Sequence, residues 1–264
     1  MRKYKHTGFS GLPQHDLSGE RFSLGKIPAS FYARILNDRA LNPMSISGQR
    51  SMRDLILQQA LEHLNPGREG LSITMAVCVP PKLGRKVRSL REVGVLATPT
   101  WPRDLTGRWM FFGNESLVGY AMTHVCSSVI TSQDKTNFWV MQWTKHEQSI
   151  AVFPILFCAR MLGGLIVTSA NQSFFTQSRL SAIEDYARLL ACIFEPGEFF
   201  DFNEIELGIM PPYACQLPYL VGYNQRVLRK MVEANRVGQQ LAVQQAHQLV
   251  WQDLEEVLLQ VQLE

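Results

Sequence analysis

Few side chains in this sequence are placed to do covalent chemistry. Cys158 and Arg160 are separated by one alanine, and a thiol held beside a guanidinium is the raw material of a redox nucleophile, because a nearby cation favours the thiolate. Against that, Cys78, Cys126, Cys158, Cys192 and Cys215 are scattered with no C-x-x-C pair. Several sit in apolar runs, where a thiol behaves as a small hydrophobe, so all five are read as reduced core residues of a cytosolic protein. His6, His15, His63, His124, His146 and His247 are too dispersed to imply a metal site. G-x-S-x-G, the phosphate loop and H-E-x-x-H are all missing. No catalytic residue, no metal and no enzyme activity are therefore expected.

Two clusters have the chemistry of binding instead. Lys82, Arg85, Lys86, Arg88 and Arg91 fall within ten residues. They read either as a solvated turn or as a contact for an anion, whether phosphate backbone, nucleotide or acidic protein, that would weaken steeply with salt. Trp101, Trp109, Phe111, Phe112, Phe138, Trp139 and Trp143 gather on either side of "SLVGYAM". They are walls for an apolar or planar ligand, or core aromatics filling the space.

The chain that must position these groups has 264 residues, 46% hydrophobic and 19% charged, with a formal net charge of +3. That is enough for one generous domain with extensions, and it falls short of the basic balance of a dedicated nucleic-acid binder. Charge is uneven: up to residue 50 there are eight Lys/Arg against three acids. Residues 1–47 therefore read as a basic, largely irregular arm, either solvated or docking on an acidic surface or nucleic acid, with a helical candidate from Pro28 to Asn37. The start lacks the apolar segment of a secretory signal, and a cytoplasmic location is expected. The apolar stretch "SIAVFPILFCARMLGGLIVTSA" contains Arg160, Pro154 and Gly163-Gly164. It reads as two strands turning near Ala159-Arg160, and no membrane span is expected.

Residues 48–197 alternate regular elements: a helix stopped by Pro66-Gly67, a strand in "LSITMAVCVPP" and a second in "EVGVLATPTW". A short helix opened by Asn114 or Ser116, a brief strand "VIT" and the hairpin follow, and then a helix capped by Thr176. Residues 198–223 are apolar but broken by prolines and read as an irregular segment wrapping the domain. Residues 224–264 read as one long helix or two shorter ones. There Val243, His247, Val250, Leu254, Val257 and Val261 approximate a heptad seam. The helix either packs on its own domain or forms a dimer or partner interface through Val243, Val250, Leu254, Val257 and Val261.

In "ESLVGYAMTHVCSSVI" and "SIAVFPILFCARMLGGLIVTSANQSFFTQSRLSAIEDYARLLACIF" the sequence resembles GAF domains, relatives of PAS domains, over roughly residues 50–196. The resemblance implies an α+β fold: a central antiparallel sheet of five or six strands, with the first and last helices together on one face. Loops and short helices on the other face would close a ligand pocket. The two-sided apolarity of "LSITMAVCV" and "IAVFPILF" suits a sheet covered on both faces. On this reading Trp109, Phe111, Ser116, Tyr120, Trp139, Trp143 and Phe153 are the ligand-pocket candidates.

Cyclic-nucleotide members would carry an Asn-Lys pair and an early Asp-Glu pair in the last helix; here stand Asn171-Gln172 and Arg179-Leu180. Bilin-binding members need an adjacent Cys-His, and Cys126 instead follows His124 by two residues. Neither cofactor is expected. The methionine-sulfoxide reductases of the family would use a nucleophilic thiol, for which Cys158 is the candidate, but their remaining cysteine pattern is not matched. The expected function is a non-catalytic sensory or regulatory module that takes a small ligand and engages a protein partner or a second copy through its C-terminal helix. The alternative is a scaffold in a nucleic-acid-binding or transcription-regulating complex, with the basic segments on phosphates. A GAF-type reductase is the third reading.

Overall fold

The computed structural model describes residues 24–41, 46–102, 109–131 and 146–261. The start of the basic arm and the candidates Phe138, Trp139 and Trp143 lie outside the described residues. In chain order the elements are α1 (Ala29–Leu41), α2 (Ile46–Leu64), β1 (Leu71–Cys78), β2 (Leu90–Ala97), β3 (Phe111–Phe112), α3 (Leu117–His124) and β4 (Ser128–Thr131). They continue with β5 (Ser149–Phe157), β6 (Arg160–Ser169), α4 (Gln177–Ala191), α5 (Tyr213–Leu220), α6 (Tyr223–Arg236) and α7 (Val243–Gln260). The strands form one antiparallel sheet in the order β3-β2-β1-β6-β5-β4.

Local chemistry sets the boundaries. Asn65 closes the end of α2, accepting from Glu69 N at 2.8 Å and donating to Glu69 O at 2.6 Å. This side-chain bridge holds the turn that Pro66-Gly67 begins. Ser116, rather than Asn114, caps α3, its Oγ accepting from Gly119 N. Thr176 does the same for α4 through Arg179 N. In the β5–β6 hairpin Phe157 pairs with Arg160, and the two residues between, Cys158 and Ala159, have φ of 49° and 59°. A two-residue hairpin with both residues left-handed suits Asn-Gly, and a Cβ there strains the backbone. Ala159→Gly should therefore stabilise the fold by about 1 kcal/mol, read as a higher denaturation midpoint at unchanged m-value.

The central strands are apolar on both sides because both are covered. Ile73 and Met75 of β1, Ala151, Phe153 and Ile155 of β5, and Leu165 and Val167 of β6 pack under α2 and α4. Across that layer His63 Nδ1 and Tyr186 Oη share a hydrogen bond of 3.0 Å, joining the first and last helices of the sheet domain. The opposite face carries α3, with Val118, Ala121 and Met122 against Val152, Met161 and Ile166. Gly164 is where α3 comes closest: a Cβ there would stand 2.6 Å from Val118 Cγ2. The Gly-Gly pair that breaks the apolar stretch thus makes room for a helix.

After α4 the chain crosses the sheet as a strap. Phe200 pairs with Met161, Glu206 N donates to Val87 O, Gly208 N to Arg88 O, and Asn114 N to Gly208 O. Next comes an element the sequence reading did not expect. Residues 213–220 form α5 despite Pro218 within it. The tail is two helices, α6 and α7, parted at Gly238 with φ of 75°. These three helices cover the β3 end of the sheet as a cap, burying Val79 and Phe111 with Val227, Val250, Trp251, Leu254 and Leu258.

The cap corrects the heptad reading. Val250 and Leu254 are buried within their own chain, while Val243 and Val257 are exposed and Val261 is half-buried. The stripe that faces the domain runs through Ala246, Val250, Trp251, Leu254, Glu255 and Leu258. A heptad count over aliphatic residues alone could not weigh Trp251 and Glu255, the two side chains that fix the rotation of the helix.

Candidate functional site

Between the α3 face of the sheet, the β3 segment and the strap lies a cavity of about 350 Å³. Its floor comes from Ser72 and Thr74 of β1, Val152 of β5, and Ile166 and Thr168 of β6. Thr74 is the one residue of β1 that is not fully buried, although β1 is a central strand, because it faces this space. The roof is Leu117 and Val118 of α3, and one wall is made by Met210, Pro211 and Gln216.

Two side chains tie that wall to the sheet domain. Glu115 accepts from Gly113 N at 2.8 Å through Oε1 and from Met210 N at 2.7 Å through Oε2, bridging the entry to α3 and the strap. Burial pushes its carboxyl above the usual range although both backbone bonds pull the other way. Gln216, 1% exposed, accepts from Phe111 N at 2.8 Å and donates to Phe111 O at 2.9 Å and Pro211 O at 2.8 Å. Its amide replaces the neighbouring strand that β3 lacks on that side. Glu92, Glu147 and the deeply buried Trp101 also line the space, and Trp101 Nε1 has no acceptor among the described residues.

Of the ligand-pocket candidates, Phe111 and Ser116 line this cavity, as do Trp101 and Phe112 of the aromatic cluster. Trp109 does not. At φ of 53° and 49% exposed, it flanks a second cleft with Tyr223 and Trp251, edge-on to Tyr223 at 5.5 Å. Tyr120 lies stacked on His124 at 4.1 Å and is not among the lining residues. Phe153 belongs to the opposite face, beneath α2 and α4. In a strand successive side chains point to opposite faces, so Val152, one residue earlier, is the one that reaches the cavity. Trp139 and Trp143 lie outside the described residues. Thr74 and Thr168 were legible as polar interruptions of apolar strands. Glu115 and Gln216 carried no sequence signal, since their partners are backbone groups distant in the chain.

The basic run has found its acids within the chain. Lys82 pairs with Asp253 and Glu256 at 3.5 and 3.7 Å, Arg85 with Glu256 at 2.8 Å, and Lys86 with Glu206 at 2.9 Å. Arg88 pairs with Glu255 at 3.1 Å and Glu256 at 2.8 Å. The turn is thus not a run of isolated charges: α7 supplies acids to Lys82, Arg85 and Arg88, the strap supplies Glu206 to Lys86, and Arg85 and Lys86 remain exposed to solvent. Arg91 stands apart, its guanidinium 5.2 Å over the Trp251 ring.

The cysteine reading is also corrected. All five are unpaired, but only Cys78 is fully buried, where desolvation pushes its thiol up and keeps it protonated. Cys158, Cys192 and Cys215 are exposed and Cys126 is half-buried. Cys158 sits at the hairpin turn and is not among the cavity residues, and Arg160 turns instead to Asp201 at 3.3 Å and Pro196 O at 3.0 Å.

No protein-family model and no curated protein matches this chain. Among solved structures it is similar to the GAF domain from Acinetobacter phosphoenolpyruvate-protein phosphotransferase, at 10% identity over 63% of this chain and 93% of that one, TM-score 0.43. The GAF domain of a two-component sensor histidine kinase from Bacillus halodurans shares 18% identity over 55% and 95%, TM-score 0.41. A type II free methionine-R-sulfoxide reductase from Thermoplasma acidophilum shares 14% over 58% and 98%, TM-score 0.43. The six-stranded antiparallel sheet, with α2 and α4 on one face and α3 with the strap on the other, is the architecture that the sequence motifs implied. The fold is GAF-like. No helix among the described residues is long and apolar enough to cross a membrane, and none of their His, Cys, Asp and Glu side chains cluster as a metal site.

Proposed function

We propose that this chain is a GAF-like sensory or regulatory module that takes a small ligand in the cavity and passes its presence to the C-terminal cap, which serves as the surface for a partner protein. One observation carries the reading: the cavity is walled on one side by the sheet and on the other by Met210, Pro211 and Gln216, the start of the cap. A ligand that fits one placement of this wall better than another shifts the cap by that difference in affinity, and by nothing else. Binding rather than turnover is favoured because the reactive-thiol candidate Cys158 does not line the space.

The test is a variant that fills the cavity from its floor. Thr74→Phe should still fold, at a cost of about 1–3 kcal/mol for a small-to-large change and toward the lower end because the added ring enters existing space. Small molecules that raise the melting temperature of the parent should lose that effect in the variant. They should also slow hydrogen exchange in α5–α7 of the parent. Ligands that stabilise both proteins equally, or leave exchange in the cap unchanged, would refute the reading.

A further inference from the structure

The cavity floor carries hydroxyl groups that the chain itself does not use. Ser72 and Thr168 stand directly across from one another on β1 and β6, and Thr74 lies two residues further along β1 on the same face. Facing residues of an antiparallel pair bring their Cβ atoms to about 5 Å, and alternate residues of a strand lie about 7 Å apart, so the three form one compact patch. Ser72 is 5% exposed and Thr168 is 7% exposed. Neither hydroxyl has a hydrogen-bond partner among the described residues, and neither is sealed away as Trp101 Nε1 is, because both side chains line the cavity. Buried hydroxyls are ordinarily bonded. These can be satisfied only by a molecule in the cavity.

The charged groups around the patch stand differently. Every lining side chain that ionises at neutral pH is an acid, Glu92, Glu115 or Glu147, and no Lys, Arg or His lines the space among the described residues. All three acids are engaged within the chain: Glu115 by Gly113 N and Met210 N, Glu92 by Trp109 N at 3.4 Å, and Glu147 likewise has a partner. An anion entering here would shed its water and meet carboxylates with no cation to receive it. An ammonium group would find those carboxylates already bonded.

What the site leaves open is therefore the hydroxyl patch, and each hydroxyl can donate or accept. Over it lie Leu117 and Val118, with Phe111 and Phe112 at the side. Apolar and aromatic walls around one polar side suit a flat ring with a hydrogen-bonding edge. A sugar, polar all round, would leave hydroxyls unmet against those walls. At about 350 Å³ the space is near the small end of ligand cavities, which span roughly 300–1,000 Å³. We infer that the ligand is an uncharged planar nitrogen heterocycle of one or two rings, held by its edge on Ser72, Thr74 and Thr168, and that anionic relatives of it are refused. This rests on the reading of the cavity as a ligand site and names the class of ligand that the site takes.

The probes are benzimidazole, its hydrocarbon counterpart indene, benzimidazole carboxylate and N,N′-dimethylbenzimidazolium, each titrated into the full chain at mildly alkaline pH. Binding is read from the melting temperature and from saturation-transfer NMR of the probe. Benzimidazole should bind saturably, its carboxylate at least tenfold more weakly, and the cation no more tightly. Thr74→Val and Thr168→Val keep the side-chain shape and remove hydroxyls without partners among the described residues, so both variants should melt no lower than the parent. Each should weaken benzimidazole by about fivefold, the worth of one hydrogen bond, and leave indene unchanged. Equal binding of the carboxylate, tighter binding of the cation, or benzimidazole affinity unchanged in both variants would overturn the inference. Indene binding without benzimidazole binding would overturn it too and leave the cavity reading standing. A chain that responds to none of the four probes takes the cavity reading down with it.

Discussion

Glu255→Ala lowers the stability of the chain by about 3–5 kcal/mol, the cost of leaving one half of a buried ion pair without its partner. Glu255 is 3% exposed on the inner face of α7. Its Oε1 accepts from Ser89 Oγ at 2.5 Å and its Oε2 from Arg88 Nη2 at 3.1 Å. The substitution strands a buried hydroxyl and a guanidinium at the point where the cap meets the basic turn. Arg88 keeps Glu256 at 2.8 Å, which holds the loss toward the lower end. Leucine at both positions 88 and 255 should recover much of it, since a buried pair replaced by apolar groups is often neutral. Urea denaturation of the two single variants and the double variant measures the coupling.

The same carboxylate gives the cap a pH dependence of known sign. Burial raises the pKa of Glu255 despite its bonds to Ser89 and Arg88. The folded chain therefore takes up a proton more readily than the unfolded chain, and this group adds stability as pH falls from neutrality toward the ordinary carboxylate range. Glu115 is raised for the same reason and works in the same window. Glu256 is opposite: burial raises it, but Arg88, Arg85 and Lys82 outweigh that and hold it low. Its contribution is present at neutral pH and is lost only as pH falls through its depressed value. Denaturation at several pH values should show a smaller gain on mild acidification in Glu255→Gln than in the parent.

What the sequence disclosed follows physical lines. Five of the six strands and α2, α3 and α4 were legible, the helices from their apolar period and from boundary residues such as Thr176 and Pro66-Gly67, the strands as apolar runs between turn residues, while the two-residue β3 was not. The GAF-like motifs added the arrangement of the layers. Sidedness was harder. Phe153 and Val152 are equally apolar, and only the register of β5 against β6 decides which meets α4 and which meets the cavity. The fate of the basic run was hidden altogether, because it depends on α7, some 170 residues later in the chain, arriving with Asp253, Glu255 and Glu256 on one side. The cap itself rests on contacts with no periodic signature, of which Gln216 is the clearest.

That residue carries the second large effect. Gln216→Leu keeps the volume of the side chain and removes three hydrogen bonds to Phe111 N, Phe111 O and Pro211 O. Each buried backbone group left without a partner costs about 1–3 kcal/mol, so a total near 3–5 kcal/mol is expected, the bonds not being independent. The loss should be uneven in space. The hydrogen bonds of Gln216 go to β3 and Pro211 and not to the central strands, so the amides of β1, β5 and β6 should keep their protection. Amides of β3 and of α5–α7 should exchange faster, because the wall that joins them has lost its strand-like pairing. Mass-spectrometric hydrogen exchange separates this from uniform destabilisation. If the cavity reports to the cap through this wall, the variant should still bind a stabilising ligand while the slowing of exchange in α6 and α7 disappears. A variant in which ligand still slows exchange there to the full extent would place the connection in Glu115 and the strap instead.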